Sequence, residues 1–172
     1  MTAEPTFEQS TLSRARAVAA SVLDPEVPVL TIEDLGILRG VRIDPDGVVE
    51  VTITPTYSGC PAVEAIRSDV SDALSRNGFQ ASRVVTVLSP AWTTDWMTEQ
   101  GRRRLAAYGI APPPDSGPAS ARSGPVHVIL SVRCPQCGSP DTEELSRFGS
   151  TACKSLWRCR ACREPFDHFK AL

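Results

Sequence analysis

Four cysteines near the C-terminal end of the chain form two matched pairs. Cys134-Pro-Gln-Cys137 and Cys159-Arg-Ala-Cys162 each place two thiols three positions apart, and 21 residues (138–158) separate the pairs. A tight turn at each pair directs both sulfurs to one side, so two such turns can surround one ion with the tetrahedron of thiolates that Zn²⁺ prefers. Because protein ligands fill all four positions, none is left for a reactive water. The pattern therefore predicts a structural zinc site.

Two other interpretations of these cysteines stay open. The same cage could hold iron, as in rubredoxin, because tetrahedral thiolate sites suit both metals. The cysteines could also be buried pairs or a disulfide-bonded pair, although the repeated spacing favours a metal. His127, in an apolar strand before the first pair, and His168, after the second, lack the spacing of a ligand once four cysteines fill the site.

A fifth cysteine, Cys60, lies at the predicted start of a helix, directly before Pro61. Proline suits the first helical position, which would make Cys60 the cap residue, where exposed N–H groups and the helix dipole stabilise a thiolate. A thiolate is both a nucleophile and a ligand for soft metals. The alternative is a small inert cap residue packed in a crevice. For the sixth cysteine, Cys153, burial is the default, with a spare ligand or a reactive thiol as the other options.

Composition limits the classes of protein that the chain can belong to. Its 172 residues, 41% of them hydrophobic, suffice for one ordinary domain and a small one, and the net charge of −2 gives no general attraction to nucleic acid. No apolar stretch approaches the length that spans a bilayer, and the acidic segment 1–8 is the opposite of a basic signal region. We therefore expect a cytoplasmic protein without membrane association, whose cysteines stay reduced.

Periodicity predicts the elements that position these cysteines. Apolar residues recur at helical spacing from Leu12 to Val22, and Asp24-Pro25 ends that helix because the residue before proline avoids helical angles. The later elements are one helical turn at 31–36, strands at 38–43 and 48–54 forming an antiparallel hairpin, a helix at 62–77, a strand at 84–88 and a helix at 95–108.

This order of elements predicts an α+β fold, a small sheet covered by helices, for residues 1–110. Residues 111–125 are rich in proline, serine, glycine and alanine, which favours an extended, flexible linker. Residues 126–172 are predicted to form a small β-rich four-cysteine zinc ribbon.

Ordered motifs in the first domain and the ribbon together carry a family resemblance. They are Asp24-Pro-Glu26-Val-Pro28, Thr31-Ile-Glu-Asp34-Leu-Gly36, Tyr57-Ser-Gly-Cys60-Pro61, and Ser89-Pro-Ala-Trp92 with Met97, followed in the ribbon by Phe148-Gly-Ser-Thr-Ala-Cys153-Lys154 and Glu164-Pro-Phe166-Asp-His-Phe169-Lys170. Residues 12–110 resemble the SufT-like metal–sulfur cluster assembly domain. The whole chain is similar to the PaaD (or PaaJ) family of the bacterial phenylacetyl-CoA epoxidase system. One departure is Ala91, where many relatives carry a second proline.

The resemblance implies a non-catalytic accessory role in the maturation of a multicomponent oxygenase during phenylacetate degradation. The implied partners are the di-iron oxygenase subunits and the flavin and iron–sulfur reductase, with the ribbon used for docking. In this family the cysteine matched by Cys60 is the candidate for holding iron or a cluster in transit. Because most clusters need four protein thiolates, one thiol must be completed by a partner protein, a second copy of the chain or a small thiol.

Three acidic residues are candidate auxiliary iron ligands beside Cys60: Asp24, Glu26 and Asp34. Asp24 and Asp34 also have an adequate explanation as turn and cap residues.

Three other functions compete with this hypothesis. The chain could be a stoichiometric structural subunit of the epoxidase. It could also be a nucleic-acid-binding ribbon, since residues 147–163 hold five basic residues near two aromatic ones, although residues 126–172 carry a net charge of only +2 (7 Lys and Arg against 5 Asp and Glu). A thiol enzyme using Cys60 would need a base, and both histidines lie in the ribbon.

Overall fold

The structure of the chain is a computed structural model, and it describes residues 7–114 and 132–171. Its elements in chain order are α1 (Phe7–Ala20), β1 (Leu38–Ile43), β2 (Val49–Ile53), α2 (Ala62–Arg76), β3 (Ser82–Thr86), a 3₁₀ turn (Thr94–Trp96), α3 (Glu99–Tyr108), β4 (Ile110–Ala111), β5 (Thr142–Ser146), β6 (Lys154–Cys159) and β7 (Pro165–Phe169). The predicted α+β class is confirmed. None of the described helices is both long enough and apolar enough to cross a bilayer.

The chain divides into two compact units, Met1–Thr98 and Glu99–Leu172. The first unit contains a three-stranded sheet in the order β1-β2-β3, in which β2 is antiparallel to β1 and parallel to β3. A parallel pair needs a crossover, and α2 supplies it between β2 and β3. Ile66, Val70 and Leu74, four positions apart on α2, are buried and form one apolar face of that helix, and the apolar residues of β2 are buried as well.

The hairpin was predicted closely, and its turn explains why. Strand β1 has the predicted bounds, and Val41 pairs with Val51 of β2. Between the strands, the Asp44 side chain accepts hydrogen bonds from the N–H groups of Asp46 (3.1 Å) and Val48 (2.9 Å). Such a turn is held by its own residues, so the pattern of neighbouring residues is enough to predict it.

Two predicted boundaries in the first unit were wrong because residues distant in sequence pair with them. Helix α1 ends at Ala20 rather than at Asp24, since Leu23 forms an isolated β-bridge with Thr31. Strand β3 spans 82–86 rather than 84–88, because it follows the register of β2, in which Val49 pairs with Ser82.

The predicted helix at 95–108 is interrupted. Residues 94–96 form a 3₁₀ turn capped by Thr93, and Met97 then takes extended angles (φ −65°, ψ 135°) before α3 begins at Glu99. The break is fixed by Thr98, whose N–H donates to the Asp34 carbonyl at 2.9 Å instead of to a carbonyl of its own helix.

The boundary between the units lies at 98 and 99 rather than at 110. Strand β4 pairs in parallel with β7, and Ala111 lies in a buried cluster with Cys134, Cys159 and Phe166, so α3 and β4 belong with the ribbon. The ribbon sheet has the order β4-β7-β6-β5, with β6 antiparallel to both neighbours. The β-rich ribbon is confirmed. The linker was predicted over 111–125, and that prediction is wrong at Ala111, which lies in β4. Residues 115–125 of the predicted linker and the predicted strand around His127 lie outside the described residues.

A close contact in the first unit requires glycine at position 36. Gly36 has φ +70°, and a methyl group there would lie 2.6 Å from Trp96 Cβ and would overlap the Trp96 carbonyl. Two further contacts join the same segments: the Trp92 indole N–H donates to the Leu35 carbonyl at 2.9 Å, and the Arg39 guanidinium lies 3.5 Å from the centroid of the Trp96 ring. The segment around Gly36 is thus held in place by contacts with residues 92–98.

We expect Gly36→Ala to lower the free energy of unfolding of the first unit by more than about 3 kcal/mol, because left-handed strain and steric overlap add. Gly47→Ala is the matched control: Gly47 also has positive φ (+81°), but nothing lies within 4 Å of its Cβ position. Its expected loss is about 1–2 kcal/mol. Urea denaturation, followed by tryptophan fluorescence in a Trp157→Phe background, measures both. Equal losses would contradict the prediction, because they would show that the Trp96 segment can move away from the added methyl group without lowering the free energy of unfolding.

Candidate metal sites

The four cysteines of the ribbon form a cage of a size that suits one metal ion. Their sulfur atoms all lie within 4.8 Å of one another, with Cys134 Sγ 3.7 Å from Cys162 Sγ and Cys137 Sγ 3.5 Å from Cys159 Sγ. A tetrahedral ion with Zn–S bonds of about 2.3 Å holds its sulfurs about 3.8 Å apart. In the part of the chain that the structure describes, no other three or more candidate ligands converge in this way.

Each cysteine pair is shaped by a turn that ends in a left-handed residue. Gly138 (φ 73°) follows Cys137, and Arg163 (φ 68°) follows Cys162. The first turn is closed by the Gly138 N–H, which donates to the Cys134 carbonyl at 2.9 Å. In the second turn, the Cys162 N–H points at Cys159 Sγ at 3.5 Å. Both turns therefore place two sulfurs on the same side, as the spacing predicted.

The pKa values of the cage thiols indicate that a bound cation would be needed to ionise all four of them. The N–H of Cys162, with further help from neighbouring thiols, lowers the pKa of Cys159 to about 7. The N–H of Glu164 acts in the same direction on Cys162, but burial and the three neighbouring thiols outweigh it and raise the pKa of Cys162 to about 12. Four adjacent thiols cannot all ionise unaided, and a bound divalent cation supplies the opposite charge. None of the six cysteines forms a disulfide, and the cage sulfurs are too far apart for a bond of about 2.05 Å.

Most of the basic side chains that could contact nucleic acid form ion pairs with acidic residues of the ribbon. Arg158 and Arg160 both bind the Glu143 carboxylate, and Arg158 is the main cause of the lowered pKa of Glu143. The buried Lys154 lies 3.4 Å from Asp167. These ion pairs neutralise three of the five basic residues in 147–163. Few positive charges are therefore left to contact a phosphate backbone.

Cys60 lies one residue further from the helix than the sequence predicted. Pro61, with φ −67° and ψ −21°, is the N-cap of α2 and makes no side-chain capping hydrogen bond. Cys60 lies in the preceding turn, where its N–H donates to the Tyr57 carbonyl (3.2 Å) and its carbonyl accepts from the Val63 N–H (3.3 Å). The bounds of α2 thus make Pro61 rather than Cys60 its cap residue, although the helical angles of Pro61 are those expected of a first helical position. The Cys60 residue is half-buried.

The predicted net stabilisation of a Cys60 thiolate is wrong, although an N–H at the start of α2 does act in the predicted direction. Burial raises the pKa of Cys60, the N–H of Ala62 lowers it, and the negative charges of Glu26 and Asp24 raise it further. A hydrogen bond with the Tyr57 side chain acts in the lowering direction but does not reverse the result. Burial is thus the main reason for the raised pKa, and the two acidic side chains add to it. A cation bound there would reverse this balance, because it favours thiolate and carboxylates alike.

The three candidate acidic residues differ in what their carboxylates do. Asp24 Oδ1 accepts from the N–H groups of Glu26 (2.9 Å) and Val27 (2.7 Å), so it also shapes the turn before the Cys60 site. Asp34 Oδ2 accepts from the Thr31 N–H (3.1 Å), and the Asp34 N–H donates to Thr31 Oγ1 (3.0 Å), which is a reciprocal capping arrangement. Asp34 is not among the causes of the Cys60 shift, and its geometry is that of a cap.

Sequence reasoning missed a chain of polar side chains on the ribbon sheet. The Trp157 indole N–H donates to Ser155 Oγ (2.9 Å), which lies 3.3 Å from Nδ1 of the buried His168. Burial lowers the pKa of His168 to about 4, so the imidazole is neutral at pH 7. The sequence contains one signal for this arrangement: side chains two positions apart in a strand share a face, which places Ser155 and Trp157 together on β6. The pairing of Ser155 with His168 on β7 then adds the third side chain.

Two family models match consecutive parts of the chain. The model described as "Iron-sulfur cluster assembly protein" matches residues 13–88, and the "PaaD zinc beta ribbon domain" matches residues 120–170. The first range contains Cys60, and the second contains all four cysteines of the cage.

Relatives and solved structures agree with these matches. A protein of Escherichia coli (strain K12), provisionally named as a component of 1,2-phenylacetyl-CoA epoxidase, is 50% identical over 156 residues, 91% of this chain and 90% of the relative. The Fe-S protein maturation auxiliary factor SufT of Staphylococcus aureus (strain USA300) is 35% identical over 85 residues, 49% of this chain and 96% of that protein. The crystal structure of the domain of unknown function DUF59 from Bacillus anthracis matches with a TM-score of 0.53 and 29% identity, covering 57% of this chain and 93% of that one. The family resemblance predicted from the motifs is confirmed.

The raised pKa of Cys60 predicts slow alkylation that speeds up when a neighbouring charge is removed. Iodoacetamide reacts with the thiolate, so the rate at Cys60 should reach half its maximum at a higher pH than for an ordinary cysteine. Glu26→Gln removes a negative charge and should therefore lower this midpoint, whereas Glu33→Gln, an exposed acid paired with Arg16, should leave it unchanged. Mass spectrometry of the Cys60 peptide at several pH values gives the rates. An unchanged midpoint in Glu26→Gln would contradict the electrostatic coupling.

Removal of the metal should unfold the ribbon strands and leave the first unit folded. Metal binding contributes on the order of 10 kcal/mol to folding in modules of this size. After chelation under reducing conditions, hydrogen exchange should show fast exchange in β5, β6 and β7 and retained protection in β1, β2 and β3. Cys134→Ser should shift the ribbon in the same direction, while Cys153→Ser serves as the control outside the cage. Protected β6 amides after complete metal removal would contradict this dependence.

Proposed function

Because the chain belongs to the PaaD family of the phenylacetyl-CoA epoxidase system, we propose that it helps insert iron or an iron–sulfur cluster into the oxygenase or reductase subunits. The cargo would be held in transit at Cys60. The chain itself would be a non-catalytic accessory protein that acts in the cytoplasm during aerobic phenylacetate degradation.

The observation that carries this proposal is the electrostatic effect of two acidic residues on the half-buried Cys60 thiol. Burial is the main cause of the raised pKa of Cys60, and the charges of Glu26 and Asp24 raise it further. Iron accepts thiolate and carboxylate ligands, and these residues offer both. The acids would thereby favour loading by a cation.

An incomplete ligand set suits a carrier better than a resident cofactor site. Cys60 and its acidic neighbours do not converge as the cage cysteines do, so coordination positions would stay open, and a stable cluster commonly uses four protein thiolates. A recipient protein, a second copy of the chain or a small thiol would complete the ligation, so that cargo can be passed on by ligand exchange. Asp34 stays outside this ligand set because both of its carboxylate oxygens accept hydrogen bonds from Thr31 and Thr98.

The ribbon would have a structural role within the same protein. Cys134, Cys137, Cys159 and Cys162 would hold one Zn²⁺, and the sulfur spacing fits such an ion. Bound zinc would supply cross-links among the strands and no redox chemistry. Residue Cys153 is buried beside Thr151 Oγ1 (3.0 Å) and does not belong to the cage.

The competing hypotheses have less physical support. A nucleophilic enzyme requires an activated thiol, whereas the surroundings of Cys60 raise its pKa. A nucleic-acid-binding ribbon requires free cations, and Arg158, Arg160 and Lys154 are engaged in ion pairs. A stoichiometric structural subunit of the epoxidase remains the alternative that the experiment must separate from a maturation factor.

Oxygenase and reductase purified from cells that lack this chain should contain less iron and acid-labile sulfide than the same proteins from complete cells. Cys60→Ser should reproduce this loss, because the hydroxyl resembles the thiol in size but is a poor ligand for iron. Cys153→Ser is the matched cysteine control and should restore full metal content. The measurements are metal content and specific activity of the recipients.

Full occupancy and activity of recipients from the Cys60→Ser strain would contradict the carrier role. Adding the purified chain to fully metallated oxygenase and reductase should leave turnover unchanged. If turnover instead rises with saturation at a fixed ratio of chain to oxygenase, the chain is a working subunit of the complex.

A further inference from the structure

The ribbon sheet carries a pocket that the proposed cargo function does not use. It has a volume of about 400 Å³, and its lining includes Arg147, Phe148, Trp157, His168 and Lys170. This volume lies within the range of about 300–1,000 Å³ in which proteins bind small ligands and side chains. All of these residues belong to the second unit, outside the metal cage.

Two aromatic residues give the pocket an apolar surface. Phe148 is 69% exposed, which is unusual for a large apolar side chain in a small module. Trp157 is half-buried, and its indole is held by the hydrogen bond from its N–H to Ser155 Oγ. The Trp157 ring therefore has a fixed orientation before any ligand arrives, which lowers the entropic cost of binding.

Two cations beside the aromatic residues lack a carboxylate partner. Among the described residues, neither Arg147 nor Lys170 makes an ion pair, in contrast to Arg158, Arg160 and Lys154 on the same ribbon. The Lys170 ammonium donates to the Arg147 carbonyl (3.1 Å) and lies 4.8 Å from the Phe148 ring centroid. Positive charge is thus concentrated at one side of the pocket, with Glu144 the acidic residue in the lining.

His168 adds an unsatisfied nitrogen to the wall. Ser155 Oγ accepts the Trp157 N–H and lies 3.3 Å from His168 Nδ1. Within the described residues, Nε2 is buried without a hydrogen-bond partner. A buried polar atom without a partner carries a desolvation cost, and a binding site is a common place to find one.

We propose that this pocket binds an acidic segment of a partner protein. An aromatic or branched apolar side chain of the segment packs against Phe148 and Trp157, and a neighbouring carboxylate pairs with Arg147 and Lys170. The inference goes beyond the proposed function, because the pocket would bind such a segment even if Cys60 carried no cargo.

A protein segment fits these features better than a nucleic acid does. A phosphate backbone calls for a row of cations, whereas two cations, Arg147 and Lys170, meet at this pocket and an acid, Glu144, lies in its lining. An apolar side chain beside a carboxylate matches both the aromatic surface and the pair of cations.

The zinc-loaded full chain should bind a fluorescein-labelled, capped peptide of alternating glutamate and phenylalanine, measured by fluorescence anisotropy. Arg147→Gln and Lys170→Gln should each weaken binding about two- to fivefold, as expected for one partly exposed charge pair. Phe148→Ala should weaken it about tenfold, because it removes a central aromatic contact. Arg103→Gln, which removes a cation of α3 paired with Glu99, is the matched control and should bind like the unaltered chain.

The glutamine version of the peptide separates charge from apolar contact. It should bind at least about tenfold more weakly than the glutamate peptide and should be insensitive to Arg147→Gln and Lys170→Gln. Circular dichroism and zinc content establish that each variant is folded. Absence of binding at millimolar peptide, equal binding of the two peptides, or tighter binding of a single-stranded oligonucleotide through Arg147 and Lys170 would overturn the proposal.

Discussion

The second unit depends on holding four sulfur atoms within 4.8 Å of one another. Like charges that close repel, and neutral thiols would leave the centre without cross-links, so only a cation makes the arrangement favourable. Cys134 and Cys159 also belong to the buried cluster that contains Ala111 and Phe166, which means that cage and core are largely the same feature. A unit of this size buries little apolar surface, and metal–sulfur bonds would supply the stability that a larger core provides.

The thiols of the two units have different surroundings. In the ribbon, N–H groups lower the pKa of Cys159, and four sulfurs lie close enough to complete the coordination of one ion. At Cys60, burial and the charges of Glu26 and Asp24 raise the pKa, and no comparable group of ligands converges among the described residues. A closed cage would retain its ion, whereas an open site would exchange it. This difference is the physical basis for proposing structure at one site and transfer at the other.

The sequence predicted well those structural features that depend on residues close together in the chain. The spacing of the four cage cysteines, the Asp44 turn between β1 and β2, and the apolar face of α2 all depend on residues a few positions apart. Their geometry follows from local backbone angles and the helical or strand period. Boundaries were predicted less well: α1 stops at Ala20 because of the bridge from Leu23 to Thr31, which no local pattern contains.

The sequence by itself determined the metal cage, the α+β class and the family, since cysteine spacing and ordered motifs are properties of the chain. Only the tertiary structure decided the direction in which the pKa of Cys60 moves, because burial, followed by the charges of Glu26 and Asp24 from a distant turn, outweighs the lowering by the Ala62 N–H. It also decided that Ala111 belongs to the ribbon, through pairing with His168. Electrostatic fields and strand pairing act through space between residues far apart in sequence, so local patterns cannot give their sign or their partner.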